Sequence, residues 1–102
     1  MKALHDISGK HIANFVNGQL HSVRGGNIGH YLEREQIFID MHGRYLGEIV
    51  NGNRLLYNKQ TSYKNMNYGV YGNYGNVGNY GNYGNIGRCS FSGYEDVAIE
   101  QE

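Results

Sequence analysis

The sequence predicts an all-β protein: an antiparallel meander of β-hairpin repeats, then a Gly-rich Tyr-Gly-Asn triplet segment and a closing strand. Three observations predict it. Residues 4–16 (LHDISGKHIANFV), 20–32 (LHSVRGGNIGHYL) and 38–50 (FIDMHGRYLGEIV) repeat one pattern. Turn chemistry recurs within and between these units. No useful length of residues 1–65 carries the 3.6-residue apolar period of a helix. The stretch Ile28–Met41 comes nearest, but Ile37-Phe38-Ile39 is a β-type run, and HYLEREQ allows one helical turn at most.

Each unit opens on an apolar residue and carries Gly at its sixth position (Gly9, Gly25, Gly43). The ninth is aliphatic (Ile12, Ile28, Leu46), the tenth small (Ala13, Gly29, Gly47), and two apolar or aromatic residues close the unit. Asp6-Ile-Ser-Gly9 and Asp40-Met-His-Gly43 place Asp and Gly at the ends of a type I turn. There the carboxylate accepts from backbone N–H groups, and Gly supplies the positive φ that follows. Asn17-Gly18 and Asn51-Gly52 predict type I′ hairpin turns, which need positive φ at both central residues. Units one and three match at an offset of 34, including both Asn-Gly steps. A fourth, decayed copy is expected at Leu56–Tyr68, with Asn58 in place of the Asp and Thr61 in place of the Gly.

Strict alternation puts Ile12, Asn14 and Val16 on one face of the first unit's second strand, and His11, Ala13 and Phe15 on the other. Neither face is wholly polar, in this unit or its copies, so both are expected to be at least partly covered. A small tenth residue permits close approach of a ring or backbone. A meander of this size also needs a second layer.

From Tyr71 to Arg88 the chain runs YGN YGN VGN YGN YGN IGR. A period of three gives a strand no apolar face, and glycine at every third position costs a helix about 1 kcal/mol per residue. Three forms remain: an extended three-residue helix docked by its apolar stripe, a flexible low-complexity tract, or a stack of tight turns. Val77 and Ile86 replace Tyr without loss of hydrophobicity, which favours packing over hydroxyl chemistry. Arg88–Tyr94 resembles another strand, so the triplets are internal. The expected organisation is one domain, with the meander at 1–67, the triplet segment at 68–88, and a final strand with an acidic tail at 89–102.

Composition narrows the chemistry. Net charge is zero. The last eight residues carry four acids, and residues 1–94 hold nine Lys/Arg against five Asp/Glu, a net of +4. That excess is weak for a nucleic-acid binder. The lone Cys89 excludes an intramolecular disulfide and is expected to act as a small buried hydrophobe. No secretory signal or membrane-spanning stretch is visible, so a cytoplasmic location is expected.

No catalytic constellation stands out. His5 and His21 share a position in units one and two, but His11, His30 and His42 do not, and no H-x-x-x-H or C-x-x-C spacing occurs. Asp6 and Asp40 are explained as turn formers. Glu33 and Glu35 read as a solvated loop, and Glu48 has no evident partner. Ser90 and Ser92 lack a base, and no phosphate-cradling glycine loop opens a helix. No metal, cofactor or catalytic residue is expected. The feature that looks like a binding surface is the triplet ladder of Tyr71, Tyr74, Tyr80 and Tyr83 with Asn73, Asn76, Asn79 and Asn82. Such rings can stack on sugars or single-stranded bases. The competing reading gives those rings to the core. The expected function is therefore a non-catalytic structural or interaction module that self-associates as a homo-oligomer. The alternative is a glycan- or nucleic-acid-binding module using the Tyr stripe.

Overall fold

The computed structural model describes residues 1–69, 72, 75 and 83–99. Among them the chain forms eight strands and no helix: β1 (Lys2–His5), β2 (His11–Val16), β3 (Gln19–Ser22), β4 (Asn27–Leu32), β5 (Ile37–Asp40), β6 (Tyr45–Val50), β7 (Arg54–Asn58) and β8 (Tyr94–Asp96). They pair antiparallel in sequence order. A parallel pairing of His5 with Arg54 joins β1 to β7 and closes the meander into a barrel. Closure supplies the second layer that a flat meander lacks.

The turns form as their residues dictate. Gly9, Gly25 and Gly43 have φ of 94°, 102° and 84°, and Asn17-Gly18 and Asn51-Gly52 are positive at both residues. Asp40 Oδ1 accepts from the amides of His42 (2.8 Å) and Arg44 (3.0 Å). Asp6 Oδ1 likewise accepts from the Ser8 hydroxyl (2.7 Å) and the Lys10 amide (2.9 Å). All Asp-Gly-type turns therefore lie at one end of the barrel and the Asn-Gly turns at the other.

Strict alternation does not hold along the even strands. Leu4 opposes Ala13 while the next residue, His5, opposes His11, so Ile12 is an extra residue, a β-bulge. The same slip leaves Ile28 extra in β4 and Leu46 extra in β6. The bulge turns the ninth and tenth positions of each unit to the same side, so Ile12 joins Ala13 and Phe15 in the core, while His11 and Asn14 lie on the outer wall. Two consecutive inward residues leave no room for a second side chain. A Cβ on Gly29 would collide with the Ile39 carbonyl, and one on Gly47 would lie 2.6 Å from Val97 Cγ1.

The inner core centres on Leu4, Leu20, Phe38 and Leu55, each fully buried. Burying one such side chain contributes about 1.5–3 kcal/mol. Phe15, Tyr31 and Phe38 form a ring triangle with centroids 4.9–5.2 Å apart. A second cluster, Ile37, Ile39 and Tyr45, lies on the outer wall, covered by Tyr57, Tyr63 and Tyr68. Tyrosines outside the triplet segment thus do the work of core residues.

The fourth unit departs from expectation in two ways. Its core residue is Leu55, because the loop after β6 is Asn51-Gly52-Asn53, one residue longer than Asn17-Gly18. Its second strand does not follow the Asn58 turn. The turn itself forms, with Asn58 Oδ1 accepting from the Gln60 amide at 2.9 Å. The partner of β7 is instead β8, pairing Asn58 with Tyr94 and Leu56 with Asp96. Val97 and Ile99 then pack on the inner core beside Ile12 and Ile28. Residues 59–93 are thus an excursion inserted into the fourth hairpin. The closing strand starts at Tyr94 rather than near Cys89, because Phe91–Tyr94 is a turn with Gly93 at φ 83°.

Candidate functional site

The described flanks of the excursion fold back onto the turn end of the barrel and seat on equivalent points of units three and one. The Tyr68 amide donates to the Gly43 carbonyl (2.9 Å), and the Ile86 amide donates to the Gly9 carbonyl (3.1 Å). At both seats the missing Cβ matters. A side chain on Gly43 would run into the Gly69 backbone, and one on Gly9 into the Gly87 backbone. Gly69, Gly75 and Gly87 have positive φ, so an uninterrupted polyproline-type helix is not formed.

Arg54 fastens the second flank. It is 4% exposed, and its Nη1 donates to the carbonyls of Asp6 (2.8 Å) and Ile7 (3.3 Å). Its Nη2 donates to the Gly87 carbonyl (2.9 Å) and lies 3.2 Å from Cys89 Sγ. Cys89, only half-buried, is therefore part of a polar anchor and not a core hydrophobe. Its amide also donates to the Ile7 carbonyl (2.9 Å).

Four of the five histidines lie buried: His5, His11, His21 and His30. His21 is satisfied locally, with Nδ1 2.9 Å from the Gly25 carbonyl and Nε2 3.1 Å from Gln19 Oε1. His5 and His11 face each other across β1 and β2 with ring centroids 5.6 Å apart. His11 Nε2 meets Asn14 Oδ1 at 2.7 Å, whereas neither nitrogen of His5 meets hydrogen-bond geometry. Burial, and then His11, push the His5 pKa down, the Gly84 backbone working against them; Arg54 lowers it and Asp6 raises it more weakly. Burial lowers His30 as well, opposed by the Gly72 backbone.

Of the eight triplet residues proposed from sequence as a binding stripe, Tyr83 is placed here. Tyr71, Tyr74, Tyr80, Asn73, Asn76, Asn79 and Asn82 lie outside the described residues. Tyr83 is 46% exposed and meets His11 edge-on at 5.1 Å between centroids. One edge of the ring is spent on the barrel and the other is open. Met66 and Ile86, 47% and 42% exposed, lie on the same two flanks.

The carboxylates are accounted for differently from acid/base pairs. Asp6 and Asp40 hold turns, as above. Glu48 Oε2 accepts from the Tyr45 hydroxyl at 2.8 Å, and its Oε1 lies 3.4 Å from that of Tyr94. The Tyr45 hydroxyl in turn accepts from the Asn58 amide at 3.1 Å. Burial drives the Tyr45 pKa far above the ordinary phenol value, so Glu48 faces a neutral donor. Among the described residues, no three His, Cys, Asp or Glu side chains are grouped to hold a metal ion. A cleft of about 360 Å³ opens between Asn27, Ile28, Asp40, His42 and Ile99, but Asn27 Nδ2 already donates to the Leu20 and Gly29 carbonyls. No helix among the described residues is long and apolar enough to cross a membrane. No family model, curated protein or solved structure matches this chain.

The sequence carries the Asp-Gly turns and the hairpins. Sequence reading missed the buried His5–His11 pair because the bulge at Ile12 realigns the strands. The available signal was the ninth-position aliphatic repeated beside a small tenth residue.

Proposed function

We propose that this protein is a non-catalytic interaction module that associates with further copies of itself, using the apolar and aromatic side chains on the flanks of its excursion. The observation that carries this reading is that Met66, Tyr83 and Ile86 are roughly half exposed on an excursion whose backbone is tied to its own barrel. The excursion is held by main-chain bonds and Arg54, which leaves these side chains available to bury against a second copy. The carboxylates and most buried imidazoles are engaged in turns and wall packing, which supports a binding role over a catalytic one. The free Cys89 thiol suits a reducing, cytoplasmic setting. The test is light-scattering mass on a size-exclusion column at two concentrations, for the intact chain and for Met66→Ser/Ile86→Ser. A defined oligomer that the double variant reduces to a monomer supports the reading; a concentration-independent monomer in both overturns it.

A second reading, glycan or single-stranded nucleic-acid binding, rests on the open edge of Tyr83. Tyr83→Ala with its fold retained would then lose binding in a glycan or oligonucleotide screen. Binding that survives the change removes Tyr83 from the site.

A further inference from the structure

We infer that the buried His5–His11 pair is an acid-sensitive latch that holds the 83–90 segment on the barrel and releases it when His5 protonates. This does not depend on self-association, because the contacts are within one chain.

The same cross-strand position occurs in three units, and its occupants differ. Unit three places Ile39 against Tyr45, and unit two places His21 against Asn27. Unit one places His5 against His11, both at least nine-tenths buried. His21 and Asn27 have backbone partners; neither nitrogen of His5 nor the Nδ1 of His11 meets a partner in hydrogen-bond geometry, the Gly84 backbone acting on His5 only from nearby. A buried imidazole without partners is tolerated only while neutral.

Burial, His11 and Arg54 favour the neutral form of His5, while the Gly84 backbone and Asp6 oppose it. On its own turn His5 has Asp6, whose Oδ1 already accepts from Ser8 and Lys10. From β2 it meets His11, and from β7 the Arg54 guanidinium. Asp96, from β8, is held by the Ile7 amide at 2.9 Å. From the 83–90 segment come the Gly84 backbone at His5 and the Tyr83 ring at His11. A proton on His5 faces a second imidazole and an arginine. Lifting the segment away hydrates the pair and relieves that cost. The lowered pKa of His5 has the matching sign: the docked state binds protons more weakly than the released state, so docking is favoured above the ordinary imidazole value near 6.5 and weakens as pH falls below it.

The chain itself supplies the control substitutions. His5→Ile with His11→Tyr installs in unit one the pair that unit three already uses. Amide hydrogen exchange at Ile86 and Cys89, which donate to Gly9 and Ile7, reads docking, and the Tyr31 amide, which donates to Gly18 at the far end, is the reference. After correction for intrinsic exchange, acidification from about pH 7.5 to about pH 5.5 should speed Ile86 and Cys89 several-fold. Tyr31 should stay unchanged, and the double variant should show no such acceleration. An unresponsive wild type, an equal response in the variant, or an equal acceleration of Tyr31 overturns the latch. If the variant does not fold, imidazole NMR titration of the wild type decides. His5 should titrate together with the Ile86 and Cys89 amide signals; a His5 that titrates while those amides stay fixed overturns the latch.

Discussion

The Lys59 amide donates to the Gly93 carbonyl at 2.9 Å, so the chain leaves the sheet after β7 and rejoins it at β8 through a single neck. The described flanks of the intervening chain reach back to the turns of units three and one. The fourth hairpin thus has two strands that lie far apart in sequence.

Arg54 ties this loop to the barrel and should be costly to replace. Arg54→Leu leaves the carbonyls of Asp6, Ile7 and Gly87 without their donor. The expected loss is about 3 kcal/mol, since hydrogen bonds from a charged group are worth about 1.5–3 kcal/mol each and partly overlap. Arg54→Lys should recover little, because an ammonium cannot span the same fork of acceptors. Urea unfolding of both variants measures this.

The glycines should separate into two classes. Gly18 has φ 79° and nothing within 4 Å of a built Cβ, so Gly18→Ala should cost only the left-handed backbone penalty, about 1–2 kcal/mol. Gly9→Ala adds a collision with the Gly87 backbone to a φ of 94° and should cost clearly more. Gly29 has no positive φ to report, yet Gly29→Ala should also be severe because of the Ile39 carbonyl. Thermal melts of the three variants should rank Gly18→Ala as the mildest.

Tyr45→Phe removes one hydroxyl that serves two partners. The Asn58 amide loses its acceptor and Glu48 loses its shorter donor. Destabilisation of about 1–3 kcal/mol is expected from the stranded groups, with no change in fold. Denaturant midpoints for the pair test it.

Stability should also fall in mild acid. His5 and His30 both have folded-state pKa values below their unfolded value. Their contribution is fully present above about pH 6.5, begins to decline below it, and is gone once pH passes the folded-state values. Urea midpoints measured across this range should drop on acidification, and His30→Leu should flatten part of that drop.

Much of this fold was legible because local chemistry agreed with it. Asp6, Gly9, Asp40 and Gly43 state their turns, and Asn17-Gly18 and Asn51-Gly52 state their hairpins. Leu4, Leu20 and Phe38 mark the core from the first position of each unit. Two things were hidden. The bulge at Ile12, Ile28 and Leu46 breaks the period of two on which face assignment depends, so His11 and Phe15 fell on one face in sequence and lie on opposite walls in the structure. The pairing of Asn58 with Tyr94 spans a long excursion, and local propensity carries no information about so distant a partner. The site was less legible than the fold for the same reason: His5, His11, Arg54 and Gly84 converge only after closure.

The split fourth hairpin is the centre of this account, and a chain ending at Gly93 tests it most directly. That truncation removes β8, Val97 and Ile99, and so deletes one strand of the barrel and part of its inner core. Thermal unfolding followed by far-ultraviolet circular dichroism should show no cooperative transition for the truncated chain, beside a sharp one for the intact protein. A truncated chain that melts cooperatively at the intact protein's temperature would contradict the account, because the barrel would then be complete without its last strand.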